Sequence, residues 1–297
     1  MDSNMSSIAK TIVATGATSG LGFEAIKQLL SQTQPYRFIL GCRNVANVRT
    51  AYNSLKYDTS KHSMTLLPLE LSDLRTVKKF SSEVLNKLGS ERIDILLLNA
   101  ALIKTANEPG INGSKYNEPY IVNHLSQHYL LHLLREKLVE SKTRVVVVSS
   151  GAIRMVKDLE KLNDIVKAES GGWFMDLYPA SKFIQLLSAL WWRRELQGSC
   201  RIVAVSPGLI PDTGLARNTT FTPTEEMMKD AKSVETGAQS ILAAFTRDDF
   251  PDDPERILLT SWGEWWGKDV YELALDKELQ DKWSPGKEVI EREELVD

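Results

Sequence analysis

Seven short, almost wholly apolar runs recur along the chain, at intervals too long for hairpins and long enough to hold a helix. They span Thr11–Ala14, Arg37–Leu40, Met64–Leu67, Ile93–Leu98, Arg144–Val148, Arg201–Val205 and Arg256–Thr260. Runs that lack polar alternation belong to strands covered on both faces, the condition of a parallel sheet. Helical patterns fill the intervals at Gly20–Gln32, Val45–Tyr57, Leu74–Lys87, Glu118–Glu140, Ala180–Leu196 and Ser233–Phe245. Right-handed crossovers then stack helices on both faces of one sheet. The expected fold is α/β, a doubly wound parallel sheet of about seven strands. Ligands of such sheets bind at the carboxyl ends of the strands, so functional residues are sought there.

Composition agrees with one large core and narrows the function classes. Of 297 residues, 42% are apolar and 25% charged, an ordinary globular balance. A net charge of -3 gives no support to a nucleic-acid reading, which would want a clustered basic surface. Cys42 and Cys200 stand in no disulfide or metal-ligand spacing, which fits a reducing cytoplasm. The segment Met1–Lys10 is polar, without the apolar stretch of a secretion signal, and the apolar runs are too short to span a bilayer. Two stretches break the strand–helix rhythm, 151–177 and 207–232, and are expected to be loops that shape the ligand site. The tail, 261–297, carries Trp262, Trp265, Trp266 and Trp283, which are expected to pack it onto the core.

The first strand runs directly into Thr15-Gly16-Ala17-Thr18-Ser19-Gly20-Leu21-Gly22, and a helical stretch follows. Glycines at such a turn let backbone approach a pyrophosphate, and a helix start offers free N–H groups to it. Gly16, Ser19, Gly20, Leu21 and Gly22 are therefore candidate nucleotide contacts. The second strand ends in Gly41-Cys42-Arg43-Asn44. An acidic side chain there would hold the ribose of NAD and repel a 2′-phosphate. Cys42 followed by Arg43 favours NADP(H), because a guanidinium pairs with phosphate. Asp73, after the third strand, either accepts from an adenine amino group or caps the next helix.

Candidate chemistry gathers on Tyr178-Pro179-Ala180-Ser181-Lys182. Four residues apart on a helix, the phenol and the ammonium share one face. An ammonium about 4 Å away at an effective dielectric of roughly 20 contributes ~4 kcal/mol toward phenolate, or about three pH units. That expectation brings the tyrosine into range as an acid–base group. Ser149-Ser150 closes the fifth strand, Asn99-Ala100-Ala101 closes the fourth, and Asn123 lies on the helix between them.

Together, Thr15–Gly22, Asn99-Ala100-Ala101, Asn123, Ser150, Tyr178 with Lys182, and Pro207-Gly208 resemble the ordered motifs of short-chain dehydrogenase/reductases. The resemblance runs from residue 11 to about 213, and it implies a Rossmann-type fold. It implies Tyr178 as proton donor or acceptor, Ser150 as the group that orients the substrate oxygen, and Lys182 as the group that lowers the tyrosine pKa and binds the nicotinamide ribose. It also implies that Asn123 holds a water relaying protons to Lys182. Asn99, Pro207, Gly208 and Thr213 would line the cofactor site; the threonine often comes one residue earlier, where Asp212 stands. Two departures are notable. Leu98 replaces an asparagine, and Ser150 and Tyr178 lie 28 positions apart, about twice the usual spacing. The longer form is similar to retinol-dehydrogenase-like and protochlorophyllide-reductase-like members.

On this reading residues 1–297 form one NADP-binding domain, a monomer or homodimer, without nucleic-acid partners or a membrane span. The expected activity is NADPH-dependent reduction of a carbonyl, or the reverse oxidation, on a small lipophilic substrate, with secondary metabolism as its setting. The competing expectation is an idle NADP(H)-binding sensor or scaffold. An extended-type epimerase would need a differently spaced glycine turn. His124, His128 and His132 form a helical stripe, read as satisfied helix histidines rather than a metal site. Trp191-Trp192 is read as core or subunit-contact packing.

Overall fold

The computed structural model describes residues 8–211, 213–217 and 219–294, so Asp212 and the segment 1–7 lie outside the described residues. Its centre is one parallel sheet of β1 (Lys10–Thr15), β2 (Tyr36–Cys42), β3 (Ser63–Pro68), β4 (Ile95–Leu98), β5 (Arg144–Val148), β6 (Arg201–Val205) and β7 (Leu258–Leu259). The strand order is β3-β2-β1-β4-β5-β6-β7, and every pairing is parallel. The chain reverses direction across the sheet between β1 and β4, so a crevice opens at their carboxyl ends.

Helices α1 (Gly20–Leu30), α2 (Val45–Asn53) and α3 (Leu74–Leu88) cross over in the first half. In the second half come α4 (Glu118–Tyr120), α5 (Ser126–Ser141), α6 (Leu162–Ile165), α7 (Phe174–Glu195), α8 (Glu225–Lys229) and α9 (Val234–Thr246). The tail adds α10 (Lys277–Lys282) and α11 (Lys287–Glu293). Two apolar layers result. One joins the odd side of the sheet (Val13, Ile39, Val145) to α3, α5 and α7, and the other joins its opposite face (Ile12, Leu40, Val146) to α1 and α9. Strands with no exposed face leave no reason for polar alternation, which is why they read as continuous apolar runs.

Among the boundaries that differ from the expected ones, three have a clear physical reason. Helix α7 begins at Phe174 rather than Ala180, with Pro179 inside it. An internal proline costs about 3 kcal/mol, while burying Phe174 and Leu177 in the first turn contributes roughly 1.5–3 kcal/mol each. Packing therefore outweighs the local helix-breaker, and 151–177 is partly helical. The expected single helix over Glu118–Glu140 is divided by a π-turn at Ile121–Leu125 that contains Asn123. Strand β7 keeps only two residues, because Thr260 donates its N–H to Glu264 and the chain turns back.

Candidate active site

Register brings the glycine turn beside the end of β4. Thr15 is paired with Leu98, and the Thr15 hydroxyl accepts the N–H groups of Asn99 and Ala100, each at 3.2 Å. The Asn99 side chain donates to the Gly16 carbonyl at 2.7 Å and holds the turn open. Gly16 has φ +65°, and a Cβ there would stand 2.5 Å from the Ala100 nitrogen. At Gly22 a Cβ would stand 2.4 Å from the Gly16 carbonyl oxygen, so this glycine serves the close fold of helix on turn. Ser19 occupies the N-cap of α1 without a side-chain cap bond, leaving the first N–H groups of the helix facing the crevice.

A single cleft of about 1360 Å³ runs from this turn along the strand ends. Small-ligand pockets span about 300–1,000 Å³, so the cleft has room for a dinucleotide and a second molecule. Gly16, Ser19, Gly20, Leu21, Arg43 and Asn99 line one end, and Pro207, Gly208 and Thr213 arch over it. The Thr213 methyl lies 3.4 Å from where a Gly20 Cβ would be. Cys42 is buried with its Sγ toward the Leu67 carbonyl, so Gly41 and, just past β2, Arg43 are the residues here that line the cleft. The residues present fit an anionic dinucleotide: a backbone cradle with no room for side chains at Gly16 and Gly22, a free helix start, and a guanidinium just past the end of β2.

Asp73 takes the other of its two expected roles. Its carboxylate caps α3 through the Arg75 N–H and pairs with the Arg75 guanidinium at 2.9 Å, away from the cleft. Close above it in the sequence, Leu69, Glu70 and Leu71 line the cleft instead. Sequence reading missed them by looking for a lone acid at a helix start rather than at the last residues beyond β3.

Ser150, Tyr178 and Lys182 line the middle of the same cleft. Ser150 leaves β5 in extended conformation, and its hydroxyl accepts the Ala152 N–H at 3.2 Å. Its neighbour Ser149 is buried with an unpartnered hydroxyl. Burial pushes the Tyr178 phenol above its ordinary value, and a hydrogen bond with Ser150 pulls it part of the way back. Burial brings the Lys182 ammonium down to about 7, and its Nζ donates to the Val148 carbonyl at 2.6 Å. This corrects the expected electrostatics: the phenol's polar partner is Ser150, while Lys182 is held by the carbonyl at the end of β5. The helical face is shared as expected, but a long lysine beside a strand end finds the orphan carbonyl first.

Asn123 stands behind the cleft rather than in its lining. It is fully buried, accepts the Leu102 N–H at 2.8 Å, and donates to the Leu102 carbonyl and to the Ser181 hydroxyl. The π-turn aims its amide at the loop after β4 and at α7, one residue from Lys182. The tail tryptophans also divide. Trp283 joins the core and Trp265 and Trp266 pack partly against it, but Trp262 is 72% exposed at the cleft wall. Lys232 lies 3.3 Å over the Trp262 ring and donates to the Ser261 carbonyl, which holds the indole outward.

The histidine stripe is packed away from the cleft. Trp192 donates its indole N–H to His128 Nδ1 at 2.9 Å, so the His128 proton sits on Nε2 and points to the Pro285 carbonyl at 2.9 Å. Among the described residues, no group of three or more histidine, cysteine or acidic side chains is placed to hold a metal, and no helix is long and apolar enough to cross a membrane.

Comparison with known proteins agrees with this geometry. Residues 10–159 match the family described as short chain dehydrogenase. A short-chain dehydrogenase/reductase of Pestalotiopsis microspora is 54% identical over 286 residues, covering 96% of this chain and 98% of that protein. Human retinol dehydrogenase 13 is 28% identical over 213 residues, 71% of this chain and 61% of its own length. Among solved structures, the NADPH-bound carbonyl reductase from chicken fatty liver aligns with a TM-score of 0.65 at 18% identity, over 88% of this chain and 95% of that one. An alcohol dehydrogenase from Thermococcus sibiricus complexed with 5-hydroxy-NADP gives 0.64 at 19% identity, over 85% and 96%. With its parallel seven-stranded sheet, its glycine turn and these matches along nearly its whole length, the chain belongs to the short-chain dehydrogenase/reductase family.

Proposed function

We propose that the chain is an NADP(H)-dependent oxidoreductase that reduces a carbonyl of a small lipophilic molecule, or oxidises the corresponding alcohol. The observation that carries this reading is the continuity of one cleft, from the Gly16–Gly22 turn and Arg43 to Ser150, Tyr178 and Lys182. NADPH, when bound, supplies the hydride. The free N–H groups at the start of α1 would bind its pyrophosphate and Arg43 its 2′-phosphate, with Pro207, Gly208 and Thr213 lining the same cleft. Ser150 orients the substrate oxygen, and Tyr178 donates its phenolic proton to that oxygen as the carbon is reduced. A phenol held above its ordinary pKa is protonated at neutral pH, the form that reduction requires. Lys182 fixes the floor of the site, and Asn123 positions α7 through Ser181.

The whole chain acts as one domain on this reading, with 151–177 and 207–232 as substrate loops and a cytoplasmic setting. Phe174, Met175, Trp262 and Trp266 give the far half of the cleft an apolar wall, which suits a tailoring step on a secondary metabolite. The test is NADPH consumption across a panel of aldehydes, ketones and quinones. Tyr178→Phe is expected to lower the rate by about 10²–10⁴ while NADPH still binds. A sensor or scaffold would bind NADPH and consume none with any member of the panel. Arg43→Ala is expected to weaken NADPH about ten-fold or more and NADH little; equal losses would remove the argument for the phosphate.

A further inference from the structure

The half of the cleft beyond Tyr178 carries a cation that the reaction does not use. Arg154 sits on the turn Gly151–Met155, immediately after Ser150, and faces the cleft. Its guanidinium donates to the Gly151 carbonyl at 3.1 Å and lies 5.6 Å from the centre of the Trp266 ring. Among the described residues no carboxylate pairs with it, whereas Lys104, elsewhere on the lining, is taken by Glu108 and Glu118. Both the guanidinium and the indole crowd one backbone position: a Cβ on Gly151 would stand 3.3 Å from Arg154 Nη2 and 3.6 Å from the Trp266 ring. Met155, Phe174 and Met175 add apolar side chains to the same lining, where Trp262 is largely exposed.

An indole face with a cation laid along it offers a flat apolar surface and a forked donor at one end. Resting on the reading of this cleft as the substrate site, we propose that the substrate is a planar aromatic compound bearing an acidic group, a carboxylate or an acidic phenol. Its ring lies along Trp266 and its anion pairs with Arg154, four positions after Ser150 on the turn that Ser150 caps. Arg154 is exposed in the free protein, and a neutral lipophilic substrate would cover its guanidinium without pairing it, which costs free energy. The arrangement therefore selects for charge as well as for shape.

The test is a binding measurement and does not depend on turnover. NADPH-loaded protein is titrated calorimetrically with 2-naphthoate and with 2-naphthamide, two flat ligands that differ in charge. Naphthoate is expected to bind about ten-fold or more tightly, the return on one charge-assisted hydrogen-bonded pair. Arg154→Gln is expected to bring the ratio to about one, with naphthamide binding in the same variant showing that the cleft is still formed. Arg154→Lys should keep part of the preference, and Arg217→Gln, at another arginine of the cleft lining, should keep all of it. Equal affinity of the two ligands for the unaltered protein overturns the proposal, as does a preference that survives Arg154→Gln or disappears in Arg217→Gln. Failure of the oxidoreductase reading would show separately, as binding without NADPH consumption by any carbonyl compound.

Discussion

Helix α7 serves two regions whose polar groups are treated in opposite ways. Its first half, Phe174 to Lys182, presents a phenol and an ammonium to a wide cleft. Its second half carries Ser188 and Trp192 into a closed seam with α5 and the tail, where His128 receives the Trp192 indole and contacts the Ser188 hydroxyl at 2.8 Å. His128 and His132 both reach the Pro285 carbonyl, at 2.9 and 3.1 Å, and so tie the tail to the helix pair. In the seam burial keeps the histidines neutral, and His124 Nε2, the Gln185 amide and the Trp283 indole N–H are buried there without a partner. In the cleft Ser149 lacks a partner, Tyr178 is partly open, and Lys182 is held near neutrality by burial alone. The end of the helix that does chemistry keeps its polar groups open to a ligand, and the other end closes its polar groups into the fold.

The sharpest way to break this contrast is a pair of substitutions on the two sides. Tyr178→Phe should remove turnover as described above yet cost less than about 1.5 kcal/mol of stability, since one hydrogen bond is lost. His128→Leu should do the reverse. It leaves the Trp192 N–H and the Ser188 hydroxyl buried without a partner, a loss of about 3 kcal/mol in denaturant unfolding, with kcat per folded molecule preserved. A His128→Leu protein of normal stability would show that the seam contributes nothing.

Acid should distinguish the regions next. Burial holds His124 down to about 3, His128 well below its ordinary value, and His132 below it as well. A histidine with a depressed folded pKa stabilises the fold above about pH 6.5, and that contribution is lost as pH falls below it. Each buried histidine then costs up to about 1.4 kcal/mol per pH unit. Lys182, lowered to about 7, changes stability only between about pH 10.5 and 7, outside this window. Unfolding curves at pH 7.5, 6.5 and 5.5 should show a steep loss in the last interval, and a flat profile would contradict the neutral seam.

The smallest expected effect concerns the cleft itself. The Ser150 hydrogen bond lowers the Tyr178 pKa. Alcohol oxidation needs the phenolate, so Ser150→Ala should move the alkaline rise of the oxidation rate to higher pH. A profile displaced toward acid would mean that another group sets the tyrosine's protonation.

Much of this arrangement was legible in the chain and some was not. The glycine turn, Arg43 and Ser150 could be read because each follows a strand end, and strand ends of a parallel sheet converge; Tyr178 and Lys182 could be read because four-residue spacing puts both on one helix face. Asp73 could not be assigned, since capping and ligand binding ask for the same side chain at the same place. Glu70, Arg154 and Trp262 carried no local signal; their relevance depends on which loops the sheet brings together. The start of α7 was hidden by Pro179, whose local cost is outweighed by residues that only the folded core can bury.

By itself, then, the order of residues determined the parallel sheet, the side of it that binds, and the residue types that converge there, because apolar continuity and strand-end position are local properties. Tertiary structure decided what each polar group meets: Lys182 on the Val148 carbonyl, Asp73 on Arg75, Asn123 on Ser181, Trp262 facing outward. A side chain's partner is chosen by distance in space, and spacing along the chain records that distance only within one helix or one turn.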